Sequence, residues 1–153
     1  MIFKTVSDFL LHHSPLKGEI LGVDVGFKKT GLAVTVGERK LILPSSMIYE
    51  SLIQNLAHKI KHTMQEKDCN YAILGFPFAW EEGASAQRIM NLSKALSSIG
   101  VIVLLYDENR TSVQIKQIIF EQKGRMSKKD LQNYDSKVAS LILSNAMDEI
   151  NSF

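Results

Sequence analysis

Three carboxylates in this chain stand where metal-assisted chemistry could be done: Asp24, Glu108 and Asp135. Asp24 lies near the end of an apolar run, Ile20 to Val25, within the stretch ILGVDVGFKKTGLAV. A lone acid in such a run costs several kcal/mol unless a metal ion, a phosphate-bound metal or a basic side chain answers it. Glu108 closely follows the most apolar run of the chain, Val101 to Leu105, and Asp135 stands at the head of the last helix-periodic segment. Carboxylates that share a site repel, and at least one pKa rises unless cations neutralise them. Oxygen-only donors suit Mg²⁺ or Mn²⁺. Two such ions, about 4 Å apart, activate water and stabilise the leaving oxygen of a phosphodiester. The implied chemistry is metal-dependent phosphodiester hydrolysis. Taken singly, Asp135 also reads as a helix N-cap. Glu108 also reads as a loop acid bonded to a backbone amide or to Arg110. Asp24 is the hardest of the three to explain by structure alone.

The elements that would position these acids follow from the periodicity. Three β-rich runs, Glu19 to Val25, Gly31 to Val36 and Lys40 to Ser45, are joined by short connections at Gly26–Thr30 and Gly37-Glu38-Arg39. Connections this short predict antiparallel hairpins. Leu52, Ile53, Leu56, Ile60 and Met64 then recur at helical spacing. A short strand follows at Tyr71–Leu74 and ends at Gly75. After a loop at Pro77, Ile89, Leu92, Leu96 and Ile99 mark a second helix, with Gly100 as its C-terminal cap. Val101 to Leu105 has the character of a buried parallel strand. Thr111 and Gln114 resemble a capping box that opens a third helix to about Phe120. Lys123 to Lys129 predicts a basic loop, and Val138, Leu141, Ile142 and Ile150 a final helix from about Asp135.

The order predicts an α/β domain: a mixed five-stranded sheet, three antiparallel strands followed by β-α-β units, flanked by helices. In such sheets strand C-termini and helix N-termini gather at one edge. If the first strand is central and parallel to Val101–Leu105, that edge collects all three acids. Residues 1–17 predict an N-terminal helical extension, centred on Thr5–His13 and ended by Ser14-Pro15, with residues 18–153 as the main domain. Val6, Phe9 and Leu10 on that helix are expected to cover the core.

Composition bounds the function classes. The 153 residues are 45% hydrophobic, as expected of one globular domain. A net charge of +2 does not announce a nucleic-acid binder, so any such role falls to local patches. Lys28 and Lys29 adjoin Asp24; Lys123, Arg125, Lys128 and Lys129 form the densest basic cluster. Either group could hold phosphates, or simply be solvated. Trp80 could stack on an unpaired base or pack against Phe76 or Phe78. His58 and His62 have zinc-like spacing but no evident third ligand. A lone cysteine, Cys69, fits a reducing compartment, and neither a signal peptide nor a membrane-length apolar run is evident. The expectation is a cytoplasmic protein with no membrane partner.

The segments VDVGFKKTGLAV, LPSS, ILGFPFAWEEG, LLYDENRTS and YDSKVASLIL occur in that order over roughly residues 19–150. In this the chain resembles the YqgF (RuvX) family of Holliday junction resolvase-like proteins and pre-16S rRNA nucleases. The resemblance implies an RNase H-like fold. It implies that Asp24 bridges two Mg²⁺ or Mn²⁺ ions, Glu108 holds one, and Asp135 completes the site from the last helix. It implies that Gly75, Pro77 and Gly83 line the same edge. It also implies a nuclease acting on structured RNA, at the 5′ end of pre-16S rRNA, with pre-ribosomal particles as partners and a monomer or homodimer as the working unit. Lys28, Lys29, Arg110, Lys128 and Lys129 are the candidate substrate contacts.

The chain departs from the family pattern at three places: Asn109 stands where an arginine is usual, with Arg110 one position later; Lys29 replaces another arginine; and Glu82 replaces an aspartate. The alternatives are a Holliday junction resolvase acting on DNA and a non-catalytic nucleic-acid-binding module, the latter motivated by Asn109. A nucleotide-binding protein similar to the sugar kinase and actin group shares the turn Asp24-Val25-Gly26 with Gly31 beyond it. The chain lacks the second glycine-rich phosphate loop of that group.

Overall fold

A computed structural model describes residues 1–108 and 134–153, with side chains described from Ser136 onward in the last helix. The expected third helix from Thr111, its capping pair and the basic cluster Lys123–Lys129 lie outside the described residues. The described chain runs β1 (Ile2–Phe3), α1 (Val6–His13), β2 (Glu19–Asp24), β3 (Lys29–Val36), β4 (Leu41–Tyr49), α2 (Ile53–Glu66), β5 (Cys69–Phe76), α3 (Ala84–Ser98), β6 (Ile102–Asp107) and α4 (Tyr134–Asn151). A short 3₁₀ turn, Phe78–Trp80, separates β5 from α3.

The strands form one mixed sheet in the order β1-β6-β5-β2-β3-β4. β2, β3 and β4 are joined as antiparallel hairpins, as the short connections predict. β2 pairs parallel with β5, and β5 parallel with β6. The sheet has six described strands where the periodicity predicts five. The addition is β1, which pairs parallel with β6 through Ile2–Val103 and Phe3–Leu104. A two-residue strand leaves no alternation in the sequence; it forms because the edge of β6 offers unpaired backbone groups, and Val103 N–H donates to the Met1 carbonyl (2.9 Å). β4 runs past the expected end at Ser45 to Tyr49. It tolerates Pro44 because it is the outer strand, where a missing N–H breaks no ladder.

Side-chain alternation divides the core into two layers. Leu21, Val23, Ala72, Leu74, Val103 and Leu105 face α2 and α3. Ile20, Tyr71, Ile73 and Leu104 face α1 and α4, where Phe9, Ala139, Ile142, Leu143 and Ala146 are fully or nearly fully buried. Each of the large side chains contributes about 1.5–3 kcal/mol through burial. Val6 and Phe9 of α1 are core residues, as their spacing suggests, and the Thr5 hydroxyl caps that helix by accepting from Asp8 N–H (3.1 Å).

Two glycine positions shape the architecture. Gly100 has φ +91° and terminates α3; its N–H donates to the Ser97 carbonyl (3.1 Å), and that of Val101 to Leu96 (3.0 Å). On β2, a Cβ at Gly22 would lie 2.9 Å from both the Ala139 carbonyl oxygen and Leu143 Cβ. The missing side chain lets α4 lie directly on the middle of the sheet.

Candidate active site

Parity and register decide which acids meet. Ile20 and Gly22 of β2 face α4, so Asp24, two residues further, presents to the same face. Asp24 pairs with Gly31 and is half-buried. On β5, Tyr71 and Ile73 face α4, and Gly75 continues that row. Gly75 stands one residue beyond the Val23–Leu74 pair, level with Asp24, and pairs on its other side with Tyr106. Glu108 then extends the α4-facing row of β6, in which Leu104 and Tyr106 precede it.

The glycine at position 75 makes room for that glutamate. A Cβ there would lie 3.4 Å from Glu108 Oε2, 3.2 Å from Glu108 Cβ and 2.6 Å from Ile142 Cδ1. The Glu108 carboxylate therefore lies over β5, one strand from Asp24; adjacent strands are about 4.8 Å apart. Asp24 and Glu108 thus share one face and the C-terminal edge of the parallel strands β2, β5 and β6, with β5 between them. Burial pushes the Glu108 carboxyl above its ordinary range, and the nearby Asp107 carboxylate pushes it further.

The first turn of α4 arrives at the same end of the sheet. The Ser136 hydroxyl lies 3.3 Å from Met47 Sδ. Met47 pairs across β4–β3 with Gly31, which pairs with Asp24. Asp135 adjoins Ser136 in that turn. Its backbone position is consistent with the expected edge, and its side chain lies outside the described residues. Among the described residues no group of three metal-binding side chains is assembled.

Lys28 and Lys29 are exposed at this edge, in the β2–β3 turn and at the head of β3. Arg110, Lys128 and Lys129 lie outside the described residues, as does Asn109. Pro77 precedes the 3₁₀ turn, and Gly83 is the N-cap of α3, so the glycine-proline loop leaves β5 at the same edge. Phe76 and Phe78 pack against one another edge to face at 4.9 Å, while Trp80 is 74% exposed. His62 pairs with its helical neighbour Glu66 (2.6 Å), far along α2 from these acids in sequence. A cleft of about 560 Å³ lined by Lys4, Tyr106 and Asp107 opens beyond β6 and includes neither Asp24 nor Glu108.

One residue near the edge escapes sequence reasoning altogether. Arg88, on α3, donates from Nε to the Gly26 carbonyl (2.7 Å), from Nη1 to Ser51 (2.8 Å) and from Nη2 to Glu50 (3.2 Å). It ties the β2–β3 turn, just past Asp24, to the β4–α2 connection. Its partners are backbone carbonyls 37 to 62 residues away, which carry no side-chain signal.

A mixed sheet of three antiparallel strands continued by parallel ones, with helices on both faces, is the RNase H-like arrangement. Solved structures agree in fold. The chain superposes on T. thermophilus RuvC in complex with Holliday junction substrate at TM-score 0.54, with 13% identity, covering 89% of this chain and 98% of that one. It superposes on the large terminase nuclease from thermophilic phage G20c at TM-score 0.53, with 14% identity and coverage of 88% and 84%. The family profile described as "RuvX: Holliday junction resolvase" matches residues 18–149. The chain belongs to the RuvX family, and it is a hydrolase of the nuclease class. Relatives named "Putative pre-16S rRNA nuclease" include one from Endomicrobium trichonymphae, 27% identical over 84% of this chain and 94% of the relative. Another, from Rickettsia bellii (strain OSU 85-389), is 29% identical over 99% of each chain.

Proposed function

We propose that this protein is a divalent-metal-dependent nuclease that processes structured RNA, with the 5′ end of pre-16S rRNA as its target. The observation that carries the reading is the placement of Asp24 and Glu108 on one face and one edge, with the opening turn of α4 beside them. Their donors are all carboxylate oxygens, and Glu108 lies in the space left by Gly75, with burial and Asp107 both opposing its charge. A hard divalent cation fits that donor set and would relieve the repulsion. Asp24, Glu108 and Asp135 would hold Mg²⁺ or Mn²⁺, which when bound supplies Lewis-acid activation of water and neutralises charge on the scissile phosphate.

The protein's own groups do the positioning. Lys28 and Lys29 hold the phosphates that flank the scissile bond, and Arg110, Lys128 and Lys129 are the further candidate phosphate contacts. Gly75 keeps the space beneath the Glu108 carboxylate clear. The names carried by the relatives support RNA as the substrate; pre-ribosomal particles are the setting that such a substrate would imply. The family description and the junction-bound neighbour support a second reading, resolution of DNA junctions by a homodimer. A monomer suffices for trimming RNA.

Purified protein with Mn²⁺ is expected to cleave a labelled precursor RNA that carries the 5′ extension of 16S rRNA. Asp24→Asn is expected to lower that rate about a hundred- to a thousandfold with the fold intact, the scale seen when a principal electrostatic group is lost. Cleavage that survives the substitution refutes the assignment of Asp24. Preference for a four-way DNA junction over the precursor RNA selects the second reading. RNA binding without turnover under either metal makes the chain a binding module.

A further inference from the structure

Two aromatic side chains stand unburied at the edge that carries the acids. Phe27 is 57% exposed and lies three residues after Asp24, in the β2–β3 turn. Trp80 is 74% exposed and lies in the 3₁₀ turn that leaves β5. β2 and β5 are adjacent and parallel, so both turns leave the sheet at the same end. Exposing large aromatic surface opposes folding, and neither ring is needed as core filler, since Phe76 and Phe78 already fill the space beneath the loop.

The two turns are linked through α3. The Trp80 carbonyl accepts from the N–H of Gly83, which caps α3, and Gln87 N–H donates back to the Gly83 carbonyl. The next residue, Arg88, holds the Gly26 carbonyl and lies with its guanidinium carbon 5.9 Å from the Phe27 ring centroid. Phe27 is thus backed by a cation on a fixed mount, with part of its ring open to solvent. Gly26 preserves the tightness of the turn, because a Cβ there would collide with the Lys29 carbonyl.

Charge around the rings selects the ligand. Lys28 and Lys29 follow Phe27 directly and are exposed, which suits a phosphate backbone passing the turn. Glu81 and Glu82 follow Trp80 and are also exposed, which repels phosphate there and leaves a ring for the face of a base. Aromatic faces beside a cationic track are how proteins grip unpaired nucleotides, because every base offers a π-face whatever its identity.

We propose that Phe27 and Trp80 form a stacking subsite for unpaired bases next to the scissile phosphate, so that this nuclease acts where a structured substrate opens into single strand. The proposal rests on the nuclease reading for the position of the cut, while the subsite itself is tested without turnover. Trp80 is the only tryptophan of the chain, so its fluorescence reports the subsite directly. A short oligouridylate added to the full-length protein in Ca²⁺ should quench that emission. An abasic oligomer of equal length and charge should leave it nearly unchanged, and a blunt duplex likewise. Phe27→Ala and Trp80→Ala should each weaken oligouridylate binding, measured by anisotropy of a labelled strand, about 5- to 150-fold. Phe27→Tyr and Trp80→Phe should restore it, which a merely structural role of an exposed ring would not require.

Equal quenching by the abasic oligomer, or unchanged affinity in both alanine variants with unchanged melting temperature, overturns the subsite. Quenching that follows protein concentration and not the oligomer also overturns it, assigning the rings to self-association. Loss of Mn²⁺-dependent cleavage by the wild type, with base-dependent quenching retained, defeats the nuclease reading and leaves the subsite standing.

Discussion

Glu108 shows how a single residue couples stability to function. Burial, reinforced by Asp107, raises its pKa above the ordinary 4.5. The folded protein therefore binds this proton more tightly than the unfolded chain does. The sign follows from linkage: the stabilisation is fully present below the unfolded value and is lost as pH rises through the raised folded value. At pH above the ordinary carboxylate range the metal-free protein carries the cost of holding this group in a partly desolvated site. Glu108→Gln is expected to raise the metal-free melting temperature near neutral pH, by roughly 2–4 °C for each kcal/mol removed. The difference should close as pH falls below the ordinary value of 4.5, where the wild-type group becomes protonated in both states. Added Mn²⁺ should raise the melting temperature of the wild type and do little for the variant, since a ligand stabilises only the state that binds it. Differential scanning fluorimetry across pH, with and without Mn²⁺, checks all three. A variant that melts lower than the wild type near neutral pH without metal contradicts the electrostatic account.

At the scale of elements, the site depends on how closely α4 lies on the sheet. Gly22 sets that distance, because the atoms a Cβ would meet include the backbone carbonyl of Ala139, which cannot swing aside. Gly75 differs: the nearest atom there is Ile142 Cδ1, the end of a flexible side chain. Gly22→Ala is expected to cost about 1–3 kcal/mol in urea denaturation, as overpacking does in a close-packed core. It should also displace the opening turn of α4 and so reduce Mn²⁺ affinity, measured by titration calorimetry. Gly75→Ala should cost less stability than Gly22→Ala while still disturbing Glu108, whose Cβ lies 3.2 Å from the added carbon. If the two substitutions cost the same, helix approach does not set the limit.

At the scale of the whole molecule, the two helical layers bury the sheet on both faces and make its opening cooperative. Cys69 reports this. Its side chain is 8% exposed at the start of β5, and burial, with Glu19 and Asp68 adding repulsion, pushes the thiol up to about 12. The thiolate is the reactive form, so at mildly alkaline pH the native thiol should react with iodoacetamide about a thousandfold more slowly than in urea-unfolded protein. Mass-spectrometric pulse labelling along a urea series should therefore follow global unfolding as seen by circular dichroism. Labelling well before that transition would show that β5 opens locally. None of the described helices is long and apolar enough to cross a membrane.

The elements were legible in the sequence where periodicity ran long. The hairpins, α2, the body of α3 and its Gly100 cap, and the apolar strand β6 each follow from spacing that local backbone geometry imposes. Asp24 announced itself because an acid in an apolar strand is costly wherever the strand lies. β1 left no trace, since two residues cannot show a period, and its formation depends on an edge supplied by Val103 and Leu104, far along the chain. The Arg88 contacts were equally silent, because backbone carbonyls look alike in every sequence. By itself the sequence determined the parts and the acidity of their ends. Only the tertiary structure decided that the Asp24 and Glu108 rows fall on one face and end at one edge. Strand order, parallel register and the close approach permitted by Gly22 and Gly75 arise from long-range packing, which no local pattern encodes.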